Sequence, residues 1–201
     1  MSTRAWTWTA PTKPVNSATV INPTDSDLVS AARDGHRDAF DTIVERHRRH
    51  VYQLCYRFVG NHEDASDLTQ DVFIRAYRAL HSFKGDAALS TWLYRIAVNV
   101  SLNKIGAKRP QAESLDTLLR TNDARIVSDH ESASEAVLRE ERAAHVRAAI
   151  ARLPKKQRAT LILRVYHDLP HEQIAGILGS SVGAVKANFF HALNNLKKLL
   201  A

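Results

Sequence analysis

The sequence of 201 residues lacks what several common classes of protein require. It holds one cysteine, which excludes an internal disulfide and any zinc site built from several cysteines. No apolar run approaches the roughly 18 residues that a membrane-spanning helix needs. The start of the chain also lacks the apolar core of a signal peptide. We therefore expect a cytoplasmic protein with no membrane insertion.

Motifs of the common catalytic sites are also missing. The sequence has no glycine-rich phosphate loop, no HExxH pair and no serine in a nucleophile elbow. Cys55 lies on an apolar helical stripe, which favours a buried structural thiol over a nucleophile. His47 and His50 are one helical turn apart, but two arginines separate them and no third ligand is near, which favours a solvated basic face over a metal site. We expect no enzymatic activity, no metal and no cofactor. Analysis of bound metal would test the opposite reading, a helical enzyme or metal module built on these histidines.

Positive charge is concentrated at the end of the chain. Residues 1–138 hold 17 Lys and Arg against 17 Asp and Glu. Residues 139–201 hold 11 Lys and Arg against 4 Asp and Glu, so the whole net charge of +7 lies in this last segment. A compact basic segment indicates a polyanionic partner, although a charge excess alone is also typical of a solvated surface.

Helical periodicity divides the chain into two groups of helices. It runs from Asp25 to about Asn103 and returns from Val137 to Leu200. Between them, residues 111–135 hold six acidic residues against two arginines and show no periodicity. The predicted fold is therefore all-α, with two small helical domains joined by an acidic flexible linker. The expected divisions are a flexible tail at 1–23, a first domain at 24–103, the linker at 104–134 and a second domain at 135–201.

Local signals predict several helix ends. Gly60 is expected to end the second helix and Asn61 to cap the third, while Ser90 or Thr91 is expected to start the fourth. Pro154 is expected to close the first helix of the second domain. Three more helices are expected there, at Lys155–His167, His171–Leu178 and Val182–Leu200.

The most specific pattern is the stretch His171–Phe190. A short helix, a turn containing Gly179 and a second helix make a helix-turn-helix, in which Ser180 or Ser181 can cap the second helix. One side of that second helix is predicted to be core, namely Val182, Val185, Phe189, Leu193 and Leu196. The opposite side would enter a major groove. It consists of Gly183, Ala184, Ala187, His191 and Asn194, flanked by Lys186, Asn188 and Phe190.

A second stretch, Asp67–Leu80, carries charged residues at helical spacing on its outer side. These are Asp67, Asp71, Arg75 and Arg78, with Gln70 beside them. Spacing alone favours a solvated face with internal ion pairs.

The third stretch is Phe83–Asn99, in which a short polar loop runs into a helix. Trp92, Arg95 and Asn99 share a stripe of that helix with Asn103. Interleaved aromatic, cationic and amide groups suit unstacked bases. A tryptophan near a helix start is also common in cores.

These three stretches resemble the extracytoplasmic-function (ECF) sigma factors of bacterial RNA polymerase. The most specific segments are DLTQDVFIRAY, FKGDAALSTWLYRIAVN and LPKKQRATLILRVYHDLPHEQIAGILGSSVGAVK. The resemblance covers about Asp25–Leu200 and implies a sigma factor that binds core RNA polymerase and directs promoter recognition, DNA opening and initiation. It also implies an anti-sigma factor as a partner.

The resemblance assigns roles to each segment. The segment matching Asp67–Leu80 docks on the clamp helices of the polymerase, which implies polymerase-binding roles for Asp67, Gln70, Asp71 and Arg75. The segment matching Phe83–Asn99 reads the promoter element near the start site as a single strand, and the loop at Gly85–Ser90 captures a flipped base. The residues implied there are Phe83, Lys84, Trp92, Arg95 and Asn99. The helix matching Val182–Ala192 reads the far element as duplex, through Ala184, Lys186, Ala187, Asn188 and His191.

The recognition helix departs from the family pattern. Asn188, His191 and Leu193 stand where the family often has arginine. Arginine supplies bidentate contacts to guanine as well as phosphate-binding charge, so we expect weaker binding to the far element or a preference for another sequence. The alternative function is a free-standing helix-turn-helix regulator, which would bind its operator without polymerase.

Overall fold

The computed structural model describes residues 23–107 and 133–201, and within these ranges all regular structure is helical. The expected tail, apart from Pro23, and the central part of the expected linker lie outside the described residues. The first group of helices comprises α1 (Asp25–Arg33), α2 (Arg37–Val59), α3 (His62–Ala79) and α4 (Leu89–Ala107), with a 3-10 turn at Leu80–Ser82. The second comprises α5 (Ala133–Arg152), α6 (Lys155–Val165), α7 (His171–Leu178) and α8 (Val182–Leu200).

The first group packs around α2, which contacts α1, α3 and α4. Its apolar stripe is buried as the spacing predicts, with Val51, Leu54, Cys55 and Phe58 all at 0% exposure. Burial raises the pKa of the Cys55 thiol to about 11, so this thiol stays protonated and inert at neutral pH.

Local signals set most helix ends. Gly60 ends α2 in the left-handed conformation, and its N–H donates to the Tyr56 carbonyl. The Asn61 side chain accepts from the Asp64 N–H and caps α3. The Ser181 side chain accepts from the Ala184 N–H and caps α8, which resolves the choice between Ser180 and Ser181.

Two predicted helix ends are wrong by one or two residues. The fourth helix starts at Leu89, before Ser90 and Thr91, because Leu89 is buried and the Trp92 N–H already donates to the Ala88 carbonyl. The helix α6 ends at Val165, two residues before His167. Tyr166 is the C-cap, and its N–H donates to the Ile162 carbonyl. Beyond it, Asp168 adopts a φ of 48° and the Leu169 N–H donates to the Leu163 carbonyl, so the chain turns away from the helix axis.

The two groups of helices meet along a seam. The first group contributes Arg57, Phe58, Tyr94 and Arg95 to this seam, and the second contributes Arg158, Tyr166, His167 and Gly176. The helix α2 packs against α6 here, and α4 packs against α7. No described helix is long and apolar enough to cross a membrane.

Candidate functional site

The helices α7 and α8 form the predicted helix-turn-helix. Gly179 occupies the turn in the left-handed conformation, with its N–H donating to the Ala175 carbonyl. Ile174 and Val185 are both at 0% exposure between the helices, which fixes how α8 lies on α7. Phe189 completes this contact, since its ring meets the His171 ring at 5.9 Å between centroids.

The outer face of α8 is open to solvent. Lys186, Ala187 and His191 are exposed, whereas Ala184 and Asn188 are half-buried at its edge. One core prediction is wrong, because Leu193 is 46% exposed and Ala192 is buried in its place. The apolar side of α8 is thus rotated slightly, and it leaves Phe190 and Leu193 facing solvent.

The loop before α4 forms a cleft with the predicted single-strand residues. The cleft has a volume of about 270 Å³, and Phe83, Lys84, Trp92 and Arg95 are among its lining residues. The Phe83 and Trp92 rings pack at 5.1 Å between centroids, and Gly85 turns the loop with a φ of 81°. Two aromatic rings and two cations around one cleft suit the face and phosphate of a nucleotide. Asn99 is exposed one turn further along α4 and does not line the cleft.

An arginine that the sequence analysis missed holds this loop. The Arg33 guanidinium, at the end of α1, donates to the Leu80 carbonyl at 3.0 and 3.1 Å and also to the Phe83 carbonyl. It therefore anchors both the 3-10 turn and the first cleft residue. A single arginine at a helix end carries no sequence signal for such a contact.

The predicted polymerase-binding residues form one stripe on α3. Asp67 and Gln70 are exposed, and Asp71 forms an ion pair with Arg75 at 2.9 Å. The hydrogen bond and charge of Asp71 raise the pKa of Arg75 above its ordinary value. Beside this stripe lies a groove of about 650 Å³ between α2 and α3, whose lining includes Gln70 and the exposed Ile74 and Tyr77.

The seam is held by arginines that bind helix-end carbonyls. The Arg158 guanidinium donates to the Phe58 carbonyl near the end of α2, and to the Ala151 carbonyl at 3.3 Å. Arg158 is only 8% exposed, and its loss of hydration lowers its pKa to about 10. Arg95 donates in the same way to the Gly176 carbonyl near the end of α7. Carbonyls in the last turn of a helix lack internal partners, so these bonds satisfy groups that would otherwise be unpaired.

Aromatic and imidazole groups complete the seam. The Arg57 guanidinium stacks over the Tyr166 ring at 4.3 Å, and the His167 ring meets Tyr94 edge-on at 5.2 Å. Burial lowers the pKa of His167 to about 4, with smaller contributions from His50 and Arg57. The imidazole is therefore neutral at physiological pH.

One of the two histidines considered as metal ligands, His47, has another contact. The His47 ring lies 2.9 Å from Asp25, a carboxylate that also binds Arg46 at 3.2 Å. Among the side chains described, those of residues 23–107 and 137–201, no three from His, Cys, Asp or Glu converge as they would around a metal ion.

The fold and its surfaces define a class of protein. A helix-turn-helix with an open recognition helix is joined to a second helical group that carries an aromatic, cationic cleft. A helix-turn-helix of this kind is typical of DNA-binding transcription proteins.

Comparisons with known proteins identify the family. The description "Sigma-70 region 2" matches residues 43–110, and "Sigma-70, region 4" matches residues 144–196. The chain is 36% identical to RNA polymerase sigma-H factor of Pseudomonas aeruginosa, covering 88% of this chain and 93% of that protein. It is also 36% identical to ECF RNA polymerase sigma factor SigW of Bacillus subtilis, covering 86% and 94%.

Solved structures agree in fold. CnrH in complex with the cytosolic domain of CnrY is 27% identical, with a TM-score of 0.62, covering 88% of this chain and 96% of that one. The sigma factor RpoE from Bartonella quintana, solved with the anti-sigma factor NepR, is 19% identical with a TM-score of 0.56, covering 80% and 96%.

The chain belongs to the ECF sigma factors of bacterial RNA polymerase. It binds core RNA polymerase and directs it to promoters, where transcription starts. Sigma factors are initiation factors without catalytic activity of their own. The matches across both groups of helices do not favour the free-standing regulator.

Proposed function

We propose that this sigma factor divides promoter recognition between two surfaces and binds polymerase through a third. The cleft of Phe83, Lys84, Trp92 and Arg95, extended by Asn99, takes the near-start element as single-stranded DNA. The outer face of α8 reads the far element as duplex through Ala184, Lys186, Ala187, Asn188 and His191. The α3 stripe of Asp67, Gln70, Asp71 and Arg75 binds the polymerase.

The strongest support for this proposal is the composition of the cleft. The cleft brings two aromatic rings and two cations, which lie up to twelve residues apart in sequence, to one exposed site of about 270 Å³. Stacking on aromatic rings is worth about 1–3 kcal/mol per base, and nearby cations bind the backbone. A site of this kind binds an unpaired base well and a paired base poorly, which favours the melted state of the DNA.

The exposed apolar groups beside the α3 stripe support its role in polymerase binding. Ile74 is 44% exposed and Tyr77 is 49% exposed, and they lie along the groove that also contains Gln70. Apolar groups rimmed by polar ones are typical of protein interfaces. We assign this groove to the same interface as the stripe.

The division of the chain follows from these roles. We infer a first domain at 24–103, a linker at 104–134 and a second domain at 135–201, after a tail at 1–23. The protein acts in the cytoplasm, where its polymerase and promoters are, and catalyses no reaction itself. An anti-sigma factor is its inhibitory partner, in keeping with the complex of the sigma factor RpoE with the anti-sigma factor NepR.

The polymerase-binding role is tested by removing its polar groups. The double variant Gln70→Ala/Asp71→Ala should weaken binding to core polymerase, while its melting temperature changes little because exposed ion pairs contribute only about 0–1 kcal/mol. The matched control is Glu45→Ala/Gln53→Ala, which removes the same kinds of group from exposed positions on α2. Equal polymerase binding by both double variants would overturn the assignment.

A further inference from the structure

We propose that Phe190 reads a thymine of the far element by packing its ring against the C5-methyl group in the major groove. This inference rests on the proposed function, in which the outer face of α8 reads that element. Its starting point is that Phe190 is 62% exposed, the highest value among the exposed large apolar side chains of the described residues.

The neighbouring phenylalanine shows that the fold does not need this ring. Phe189 is half-buried, packs against the core and meets the His171 ring, so it provides the apolar contact between α7 and α8. Phe190 follows it by one residue, about 100° further around the helix, and faces solvent. Its ring contact is with His191, the next residue along α8, at 5.8 Å between centroids. The side chain is therefore available to a partner outside the protein.

Phe190 lies on the exposed side of α8, which the proposed function places in the DNA major groove. Lys186 lies one turn before it and Asn194 one turn after it, and both are exposed. The exposed Gly183 and Ala187 precede it on the same side, and residues this small let a helix approach base edges closely. The helix contains no Asp or Glu along its length, so no carboxylate there repels the phosphates.

The residue types on this face favour A·T base pairs. The commonest contact to guanine is a bidentate one from arginine or lysine. The helix α8 contains no arginine, and Lys186 is its one lysine before Phe190. Asparagine pairs with the adenine edge, and apolar side chains contact the thymine methyl. Phe190, with Leu193 one turn further along at 46% exposure, supplies that apolar surface. Lys186 and Lys197 flank it, which suits DNA better than an apolar protein surface.

The test removes only the methyl group. Holoenzyme is reconstituted from the full chain and core polymerase, and its preferred far element is selected from a promoter library. Each thymine is then replaced in turn by deoxyuridine, with the near-start element constant, and holoenzyme binding is measured. At one position, loss of the methyl should weaken wild-type binding about fourfold, the value of one buried methyl-sized group.

The variants assign that effect to the ring. Phe190→Ala should lose the same factor on thymine and show no further loss on deoxyuridine, while Phe190→Leu should keep part of the discrimination. Leu200→Ala is the matched control, since Leu200 is also exposed on α8 at 41% and lies about 15 Å further along the axis. This control should discriminate as the wild type does.

Three results would overturn the inference. The first is that Phe190→Ala discriminates thymine from deoxyuridine as strongly as the wild type does, and the second is that the selected far element lacks thymine on both strands. The third is that Phe190→Ala binds the promoter normally and loses only the binding of a protein inhibitor, which would make Phe190 a protein contact. Failure of the proposed function differs from these, because holoenzyme binding would then ignore both Lys186→Ala and a scrambled far element.

Discussion

The near-start cleft is held in place by contacts inside the protein, whereas the outer face of α8 is mostly exposed and its ring contact, between His191 and Phe190, is local. Arg33 binds the Phe83 carbonyl, Phe83 packs on Trp92, and Arg95 donates to the Gly176 carbonyl across the seam. Lys186, Ala187 and His191 are exposed and contribute little to the core.

On the outer face of α8, DNA binding and folding therefore depend on different residues, whereas in the cleft they depend on the same residues. Residues of the cleft shape a proposed DNA-binding site and also pack within the fold, and Arg95 ties the cleft to the seam, so their substitution should change both DNA binding and stability. Residues on the outer face of α8 should change DNA binding alone. The free energy of unfolding of single variants distinguishes the two kinds of residue.

The largest effect on stability is expected at the seam. Arg158→Ala removes two hydrogen bonds, leaves the Phe58 carbonyl without this donor and opens a cavity at a residue that is 8% exposed. We expect a loss of about 3 kcal/mol in the free energy of unfolding, measured by denaturant titration. Arg158→Met restores most of the packing but still leaves the Phe58 carbonyl without this donor, so it should lose less, about 1–2 kcal/mol. Equal losses for the two variants would show that packing at this site does not matter.

A smaller effect is expected at the anchor of the cleft. Arg33→Ala removes the donor for the Leu80 and Phe83 carbonyls, which are part-buried, and should cost about 2 kcal/mol. Arg49→Ala, an exposed arginine on α2, serves as the control and should cost about 0.5 kcal/mol or less. An unchanged stability of Arg33→Ala would contradict the anchoring role.

The smallest of these effects depends on pH. The pKa of His167 is about 4 in the folded protein and about 6.5 when unfolded, so the unfolded state binds the proton first as pH falls. Stability from the neutral imidazole is complete above pH 6.5 and is lost between pH 6.5 and 4. With some allowance for solvent screening, the loss at pH 5.5 should be about 1 kcal/mol. His167→Gln should lack this part of the pH dependence, and identical profiles would contradict it.

Sequence reasoning succeeded where a feature depends on neighbouring residues. The turn at Gly179, the caps at Asn61 and Ser181 and the buried stripe around Cys55 all follow from local spacing. The start of α4 was missed because the buried Leu89 begins the helix before the polar capping candidates. The end of α6 was missed because the chain turns at Asp168, which has a positive φ, and this turn has no strong local signal.

The arginine contacts could not be predicted in this way. Arg33, Arg95 and Arg158 bind carbonyls that lie 47, 81 and 100 residues away in the chain. Such a contact uses the backbone of its partner, so the partner's residue type carries no signal. Periodicity equally could not tell Leu193 from Ala192, because the two lie on neighbouring sides of α8 and only the packing against α5 and α6 decides between them.

Promoter opening on two templates tests the central claim most directly. Trp92→Ala and Lys186→Ala holoenzymes are compared on a duplex promoter and on the same promoter with the near-start element already unpaired. If the cleft favours melted DNA and α8 reads duplex, pre-melting should restore most of the open complexes lost by Trp92→Ala and should not restore those lost by Lys186→Ala. Equal restoration of both variants, or restoration of Lys186→Ala alone, would contradict the division of roles between the two surfaces.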